Sequence, residues 1–384
     1  VVFPETGFAA RLEAVDIKAM AHPKATETPY GLTREEWIAI FAERGLSRFR
    51  ADQVLDWLYN KKASSYAEMS NLPKAFRMEL EELLPLRPME IVRESGSRDT
   101  TRKFLFRLHD AQLIETVLIP ASPALYGERS DRRTLCVSSQ VGCAYGCKFC
   151  ASGLVGWIRH LSAGEIVEQI VAVSRLTGER IDNLVFMGMG EPLANYAALV
   201  RAIGILNASW GPHIGARRMT VSTSGLVPQI RQLADTSLGI RLAISLHGAT
   251  DEVRERIMPV NRKYPLSELL EACAHWRQKR NQRITFEYIL IENVNDSLEQ
   301  AELLARHVKR LGARVNLIPY NHVEGLEWVR PSVRRQDAFL AVLTSRGASA
   351  TIRREKGHDI SAACGQLRLQ TEKQKVFAAE GTRG

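Results

Sequence analysis

The 384-residue chain is long enough for two or three domains, and 45% apolar with 25% charged residues excludes a disordered or fibrous polypeptide. No apolar run approaches the roughly 18 residues of a membrane-spanning helix, which argues against a membrane protein. A formal net charge of +9 points instead toward polyanionic partners, because each phosphate neutralised by Lys or Arg releases counterions.

Residues 1–30 hold Glu5, Glu13, Asp16 and several prolines without the basic start and apolar stretch of a signal peptide. They read as a poorly ordered lead-in to a cytoplasmic protein. A helix is predicted over 33–45, where Thr33 and Glu36 form a capping-box pair and Trp37, Ile38, Ile40 and Phe41 give an apolar face. Further helices are predicted over 47–61 and 73–85. Their Lys61, Lys62, Lys74 and Arg77 are candidate phosphate contacts, a solvated basic face being equally consistent. Strand-like runs at 89–94, 103–108 and 113–119 follow, with turn residues between them, and predict a short antiparallel sheet. From residue 134 the pattern changes. Strands at 134–140, 183–187, 219–222, 242–246, 285–291, 315–319 and 350–353 alternate with helices at 163–177, 196–208, 227–234, 266–280, 298–311 and 335–346. Such alternation predicts an α/β fold, a partial (β/α)6 barrel whose chemistry sits at the C-terminal ends of its strands. The expected organisation is a lead-in (1–30), a helical RNA-contacting module (31–88), a short antiparallel sheet and linker (89–133), the barrel (134–367) and a tail (368–384).

Four of six cysteines fall within fifteen residues, a density that means metal or redox chemistry in a reducing compartment. Cys143, Cys147 and Cys150 follow the first barrel strand with spacing C-x3-C-x2-C. Three thiolates can hold three irons of a 4Fe–4S cube and leave the fourth iron open. The competing readings are a zinc site closed by a distant His, which needs four ligands, and unrelated buried thiols. The loop, with Phe149 inside it, resembles the radical S-adenosylmethionine (SAM) superfamily, in which the open iron chelates SAM and reduction yields a 5′-deoxyadenosyl radical. Gly190 and Glu191, after the next predicted strand, match that superfamily's contact to the SAM amino group. A carboxylate can accept from an ammonium, and glycine permits close backbone approach. Ser222, Ser245, Leu246, His247 and Asn321 also lie at ends of predicted strands and are candidate SAM contacts. Taken singly, each reads rather as a strand-end turn or a satisfied buried polar group, and their common placement at one barrel mouth weakens that plainer reading.

Cys136, seven residues before Cys143, and Cys364, beyond the last predicted strand, narrow the resemblance. Their surrounding strings resemble the radical SAM RNA adenine methyltransferases, the RlmN/Cfr family, over about residues 32–367. This resemblance implies methylation of carbon 2 of adenosine in 23S rRNA and in tRNA, with two SAM molecules per turnover. Carbon 2 is an electron-poor amidine carbon, so direct nucleophilic methyl transfer fails there. The family first methylates a cysteine, matched here by Cys364, whose thiolate is a competent nucleophile. A hydrogen atom is then taken from that methyl group, and the resulting radical adds to the base. Cys136 is implied to resolve the protein–RNA adduct by forming a disulfide with Cys364, which must be reduced before the next cycle. Glu115 matches the carboxylate implied to accept a proton, against the plainer reading of a cross-strand charge. Cys273 has no counterpart role and reads as a core or surface thiol. His160 and His322 depart from the family pattern, which usually has Asn and Pro there. The resemblance also implies an electron donor such as flavodoxin and a monomeric enzyme. Alternative readings are carbon-8 methylation of 23S rRNA, a radical SAM activase, and a non-catalytic metal-containing RNA-binding protein. Pro192 after Glu191 favours carbon 2, and the outlying cysteines argue against an activase.

Overall fold

The computed structural model describes residues 28–120, 132–323, 325–353, 360 and 366; Cys364 lies outside them. Three helices come first, α1 (Arg34–Ala42), α2 (Phe49–Tyr59) and α3 (Lys74–Leu83). The capping box that predicts α1 forms in full: the Thr33 side chain accepts from the Glu36 N–H, and the Glu36 carboxylate accepts from the Thr33 N–H. Trp37, Phe41, Leu55, Leu58 and Leu80 are buried as a small core. This module is seated directly on the barrel. Arg201 donates from Nε to the Gly31 carbonyl at 2.8 Å and pairs with Glu36. A Cβ added to Gly164 would lie 2.9 Å from the Gly31 nitrogen and 2.3 Å from Thr28 Oγ1, so only glycine allows the two backbones to meet.

The strands, in chain order, are β1 (Glu90–Gly96), β2 (Arg102–Arg107), β3 (Leu113–Pro120), β4 (Arg133–Cys136), β5 (Gln140–Gly142), β6 (Trp157–His160), β7 (Asn183–Phe186), β8 (Met219–Thr223), β9 (Arg241–Ser245), β10 (Thr285–Leu290), β11 (Arg314–Pro319) and β12 (Ser349–Ile352). Among the described residues, ten strands make one open sheet ordered β1-β2-β3-β4-β7-β8-β9-β10-β11-β12. The first three form an antiparallel meander, and β3 pairs antiparallel with β4. From β4 onward every neighbour is parallel. The crossovers carry α4 (Ala151–Val155), α5 (Ala163–Thr177), α6 (Tyr196–Asn207), α7 (Val227–Ala234), α8 (Asp251–Ile257), α9 (Leu266–Arg280), α10 (Leu298–Leu311) and α11 (Val333–Ser345). This is the partial, unclosed barrel expected, with the meander continuing its first strand.

One predicted strand is corrected. The run 134–140 breaks after Cys136, because side chains take over the backbone groups that a strand partner would use. Gln169 accepts from the Ser138 N–H at 2.9 Å and donates to its carbonyl at 3.0 Å. The chain then turns away, and β5 pairs with β6 in a separate antiparallel ribbon. That ribbon, α4 and α8 are absent from the predicted elements.

Candidate active site

A cavity opens at the C-terminal ends of the parallel strands. It is lined by the cysteine loop after β5, the Gly188–Glu191 turn after β7, and residues from β8 to β12. Cys143, Cys147 and Cys150 all line it. Gly153 lets the loop close on itself, since a Cβ there would meet the Cys147 carbonyl at 2.9 Å. At the loop entrance Gly142 has φ +73°, and a Cβ would strike the Gly156 carbonyl at 1.9 Å. Burial pushes the Cys143 thiol up to about 12 and Cys147 well above its ordinary value. The charge of buried Arg254 acts the other way on Cys147.

Glu191 faces the same cavity and is buried. Its Oε1 accepts from the Leu193 N–H at 3.0 Å and its Oε2 from the Ser224 N–H at 2.7 Å. Burial raises its pKa, and these two bonds pull it back. The Thr223 and Ser224 side chains add to that pull, so four donors from the chain surround this carboxylate, and a ligand donor must share its oxygens with them. Gly190, at φ +96°, packs against the Gln140 side chain, whose Oε1 accepts from the Glu191 N–H at 2.7 Å. His247 also lines the cavity, in the left-handed conformation at φ +56° that non-glycine residues seldom adopt outside constrained sites. Its Nδ1 accepts from the Ile289 N–H at 3.0 Å, which leaves Nε2 as the donor, and burial lowers its pKa to about 3. The ring meets Phe149 edge-on at 4.8 Å. Ser222 and Ser245 also line the cavity, their hydroxyl oxygens 3.4 Å apart.

Other expected residues lie around this cavity rather than in its lining. Leu246 is fully buried, its N–H given to the Glu287 carbonyl and its own carbonyl to Arg254. The Asn321 side-chain oxygen accepts from Arg330 at 2.8 Å. Cys136 is buried at the end of β4, between Val117 and Val185 of the adjoining strands. Glu115 pairs with Lys103 across the β2–β3 ladder at 3.1 Å. Its carbonyl accepts from Ser138 Oγ, which in turn accepts from the Met189 N–H beside Gly190. Cys273 is a core thiol on α9. The His160 ring nitrogen Nδ1 lies 2.9 Å from Gln140 Nε2.

Two residues escaped the sequence reading. Arg254 on α8 is fully buried and reaches three acceptors, the carbonyls of Leu246 and Ser224 and the side chain of Asn261. It thereby ties the loops after β8 and β9 together. Glu287 of β10 presents a buried carboxylate to the cavity.

The donors fit a cubane cluster. Each cysteine of such a cluster binds a different iron, so its ligands stand farther apart than those of a single ion. Cys143, Cys147 and Cys150 share one cavity and act on one another electrostatically.

Residues 137–305 match the family model described as the radical SAM superfamily, and residues 30–85 match the ribosomal RNA large subunit methyltransferase N-terminal domain. The chain is similar to the probable dual-specificity RNA methyltransferase RlmN 3 of Opitutus terrae, with 56% identity over 92% of this chain and 97% of that protein. It is 54% identical to the probable dual-specificity RNA methyltransferase RlmN of Akkermansia muciniphila, over 89% of this chain and 96% of that one. A crystal structure of a radical SAM methyltransferase from Sphaerobacter thermophilus superposes with a TM-score of 0.84 at 47% identity, covering 89% of this chain and 99% of that one.

Proposed function

The chain belongs to the RlmN family of radical SAM RNA methyltransferases, and from that premise we propose that it methylates carbon 2 of adenosine in 23S rRNA and in tRNA. The observation that supports this most is the single cavity shared by three cysteine thiols and the Glu191 carboxylate. Cys143, Cys147 and Cys150 would hold a 4Fe–4S cluster. When bound, the cluster with SAM supplies one-electron reduction and hydrogen-atom abstraction, chemistry that no protein side chain provides alone.

The residues of the chain divide the remaining work. Glu191 accepts from the SAM amino group while two backbone N–H groups hold its carboxylate in place. His247, neutral because burial disfavours its cation, offers an N–H rather than a charge. Ser222 and Ser245 add hydroxyls on neighbouring strands, and Leu246 and Asn321 are the remaining SAM contacts. Cys364 carries the methyl group, and Cys136 forms the resolving disulfide. Glu115, held by Lys103 through Oε1, accepts the proton. The target base leaves its stack to reach the cavity, since carbon 2 is inaccessible inside folded RNA. Residues 31–88 act as the RNA-contacting module, followed by the sheet and linker (89–133), the barrel (134–367) and the tail (368–384). We place the enzyme in the cytoplasm as a monomer served by a flavodoxin-like electron donor; among the described residues no helix is long and apolar enough to cross a membrane.

Mass spectrometry of 23S rRNA and tRNA after incubation with protein, SAM and reductant tests the reading. Carbon-2 methyladenosine is expected in both RNAs. The carbon-8 product would replace the assigned position, and an absence of methylation with a full cluster would overturn the proposal.

A further inference from the structure

Five neighbouring parallel strands each contribute one polar side chain to a continuous belt. They are Ser222 on β8, Ser245 on β9, Glu287 on β10, Asn316 on β11 and Thr351 on β12. The sheet register sets Glu287 opposite both Ser245 and Asn316, and Asn316 opposite Thr351. Side chains link along the belt: Thr351 Oγ1 donates to Asn316 Oδ1 at 3.2 Å, and Asn316 Nδ2 donates to Glu287 Oε1 at 2.9 Å. The Ser222 and Ser245 hydroxyls are 3.4 Å apart. Barrel interiors of this kind are normally filled by branched apolar residues, so the three belt residues that line the cavity, Ser222, Ser245 and Glu287, need a reason.

The belt is satisfied except at its centre. Glu287 is only 5% exposed, it lines the cavity, and its Oε2 makes no hydrogen bond among the described residues. A buried acceptor without a partner is costly and marks a place where a ligand supplies the donor. Burial raises the Glu287 pKa, and the charge of Arg353, which also lines the cavity, and the Asn316 amide act the other way. An ionised carboxylate only accepts, whereas the adjoining serines can donate or accept. A pair of neighbouring hydroxyls suits both sets at once, and a carboxylate holding ribose hydroxyls is an established pairing in nucleotide sites. The amino group of SAM is matched to Glu191, and Ile289 and Ile318 give the same cavity apolar walls suited to a base.

Resting on the reading of the cavity as a SAM site, we infer that Glu287 is the acceptor for the ribose hydroxyls of SAM, with the Ser222–Ser245 hydroxyl pair beside it. The test is calorimetric binding of S-adenosylhomocysteine and its 2′,3′-dideoxy counterpart to the cluster-reconstituted full chain, to Glu287→Gln and to Glu287→Met. The unsubstituted protein should bind the hydroxylated ligand about ten- to hundredfold more tightly than the dideoxy one, the range for hydrogen bonds to a charged group. Gln should narrow that ratio and Met should abolish it, while both variants keep the affinity for the dideoxy ligand, which shows that they are folded. A ratio unchanged in both variants overturns the assignment alone. Equal weakening toward both ligands overturns it too, since the residue would then be structural. If the unsubstituted protein with a full cluster binds neither ligand, the underlying SAM reading falls and takes the assignment with it.

Discussion

Burial does not separate the cavity thiol Cys143 from the core thiol Cys273, for it pushes both up to about 12. What separates them is company: Cys143 shares its cavity with Cys147 and Cys150, whereas Cys273 is enclosed among α9 core residues. Alanine at position 143, 147 or 150 should therefore abolish iron and sulfide after reconstitution, and Cys273→Ala should retain both; full iron in all three loop variants would remove the cluster assignment. The outlying cysteines give a sharper contrast. Cys136→Ala should stall as a nuclease-sensitive protein–RNA adduct on a denaturing gel. Cys364→Ala, with equal cluster content, should form none, and normal turnover by both would refute the methylcysteine route. Arg254→Ala takes the donor from the Ser224 carbonyl and the Asn261 side-chain oxygen in the interior, each at about 1–3 kcal/mol, while the Leu246 carbonyl keeps the Gly248 N–H. Its melting temperature should drop by several degrees, and an unchanged value would show that Arg254 is no clamp. That Cys143, Cys147 and Cys150 come together in one cavity was legible from their spacing, which is local in sequence. Arg254 and Glu287 were not, since a charged residue reads as solvated unless the tertiary fold that buries it is known.

Elements with strong local signals emerged with nearly correct bounds. The helix predicted over 163–177 forms as Ala163–Thr177, opened by the reciprocal Ser162–Glu165 cap and closed by left-handed Gly178. The β5–β6 ribbon left no such trace, because three- and four-residue strands are too short for a period and pair across the cysteine loop. Arg159 of β6 holds this ribbon to α5 through Glu165 at 2.7 Å and to Asp110 at 2.6 Å. The inner face of α5 carries a second buried carboxylate. Glu168 accepts from the Met89 N–H at 2.6 Å, and burial raises its pKa to about 8. Its folded value then exceeds the unfolded one, so the native state binds the proton more tightly. The associated stability is complete below about pH 4.5 and is lost as pH rises toward 8, by about 1.4 kcal/mol for each pH unit crossed in that window. Glu168→Gln should flatten the melting-temperature profile between pH 5 and 8; parallel profiles for both proteins would contradict the buried-acid account.

At the scale of the whole molecule, a formal charge of +9 and an RNA substrate predict binding that weakens with salt. Each phosphate contact contributes a slope of about −0.7 to −0.9 on a double-logarithmic plot. The candidate cations of the module are not equivalent. Lys61 pairs with Asp56 at 3.1 Å and covers the Trp57 ring, and Arg77 donates to the Ala67 carbonyl, whereas Lys74 is exposed on α3. Lys74→Ala should reduce the salt slope by about one without altering cluster content; an unchanged slope would place the RNA elsewhere. The module's own geometry could be read from capping and periodicity, but its seat on the barrel could not, because a contact between Gly31 and Gly164 has no side chain to announce it. That contact makes the junction an all-or-nothing fit. A methyl group on Gly164 would act as a wedge against Thr28 and the Gly31 backbone, tilting everything built on α1 to α3 away from the reaction centre. On the proposed role of the module in contacting RNA, divergence toward a different RNA falls to its outward faces: the mount is fixed, and only the tool it carries is free to be reshaped.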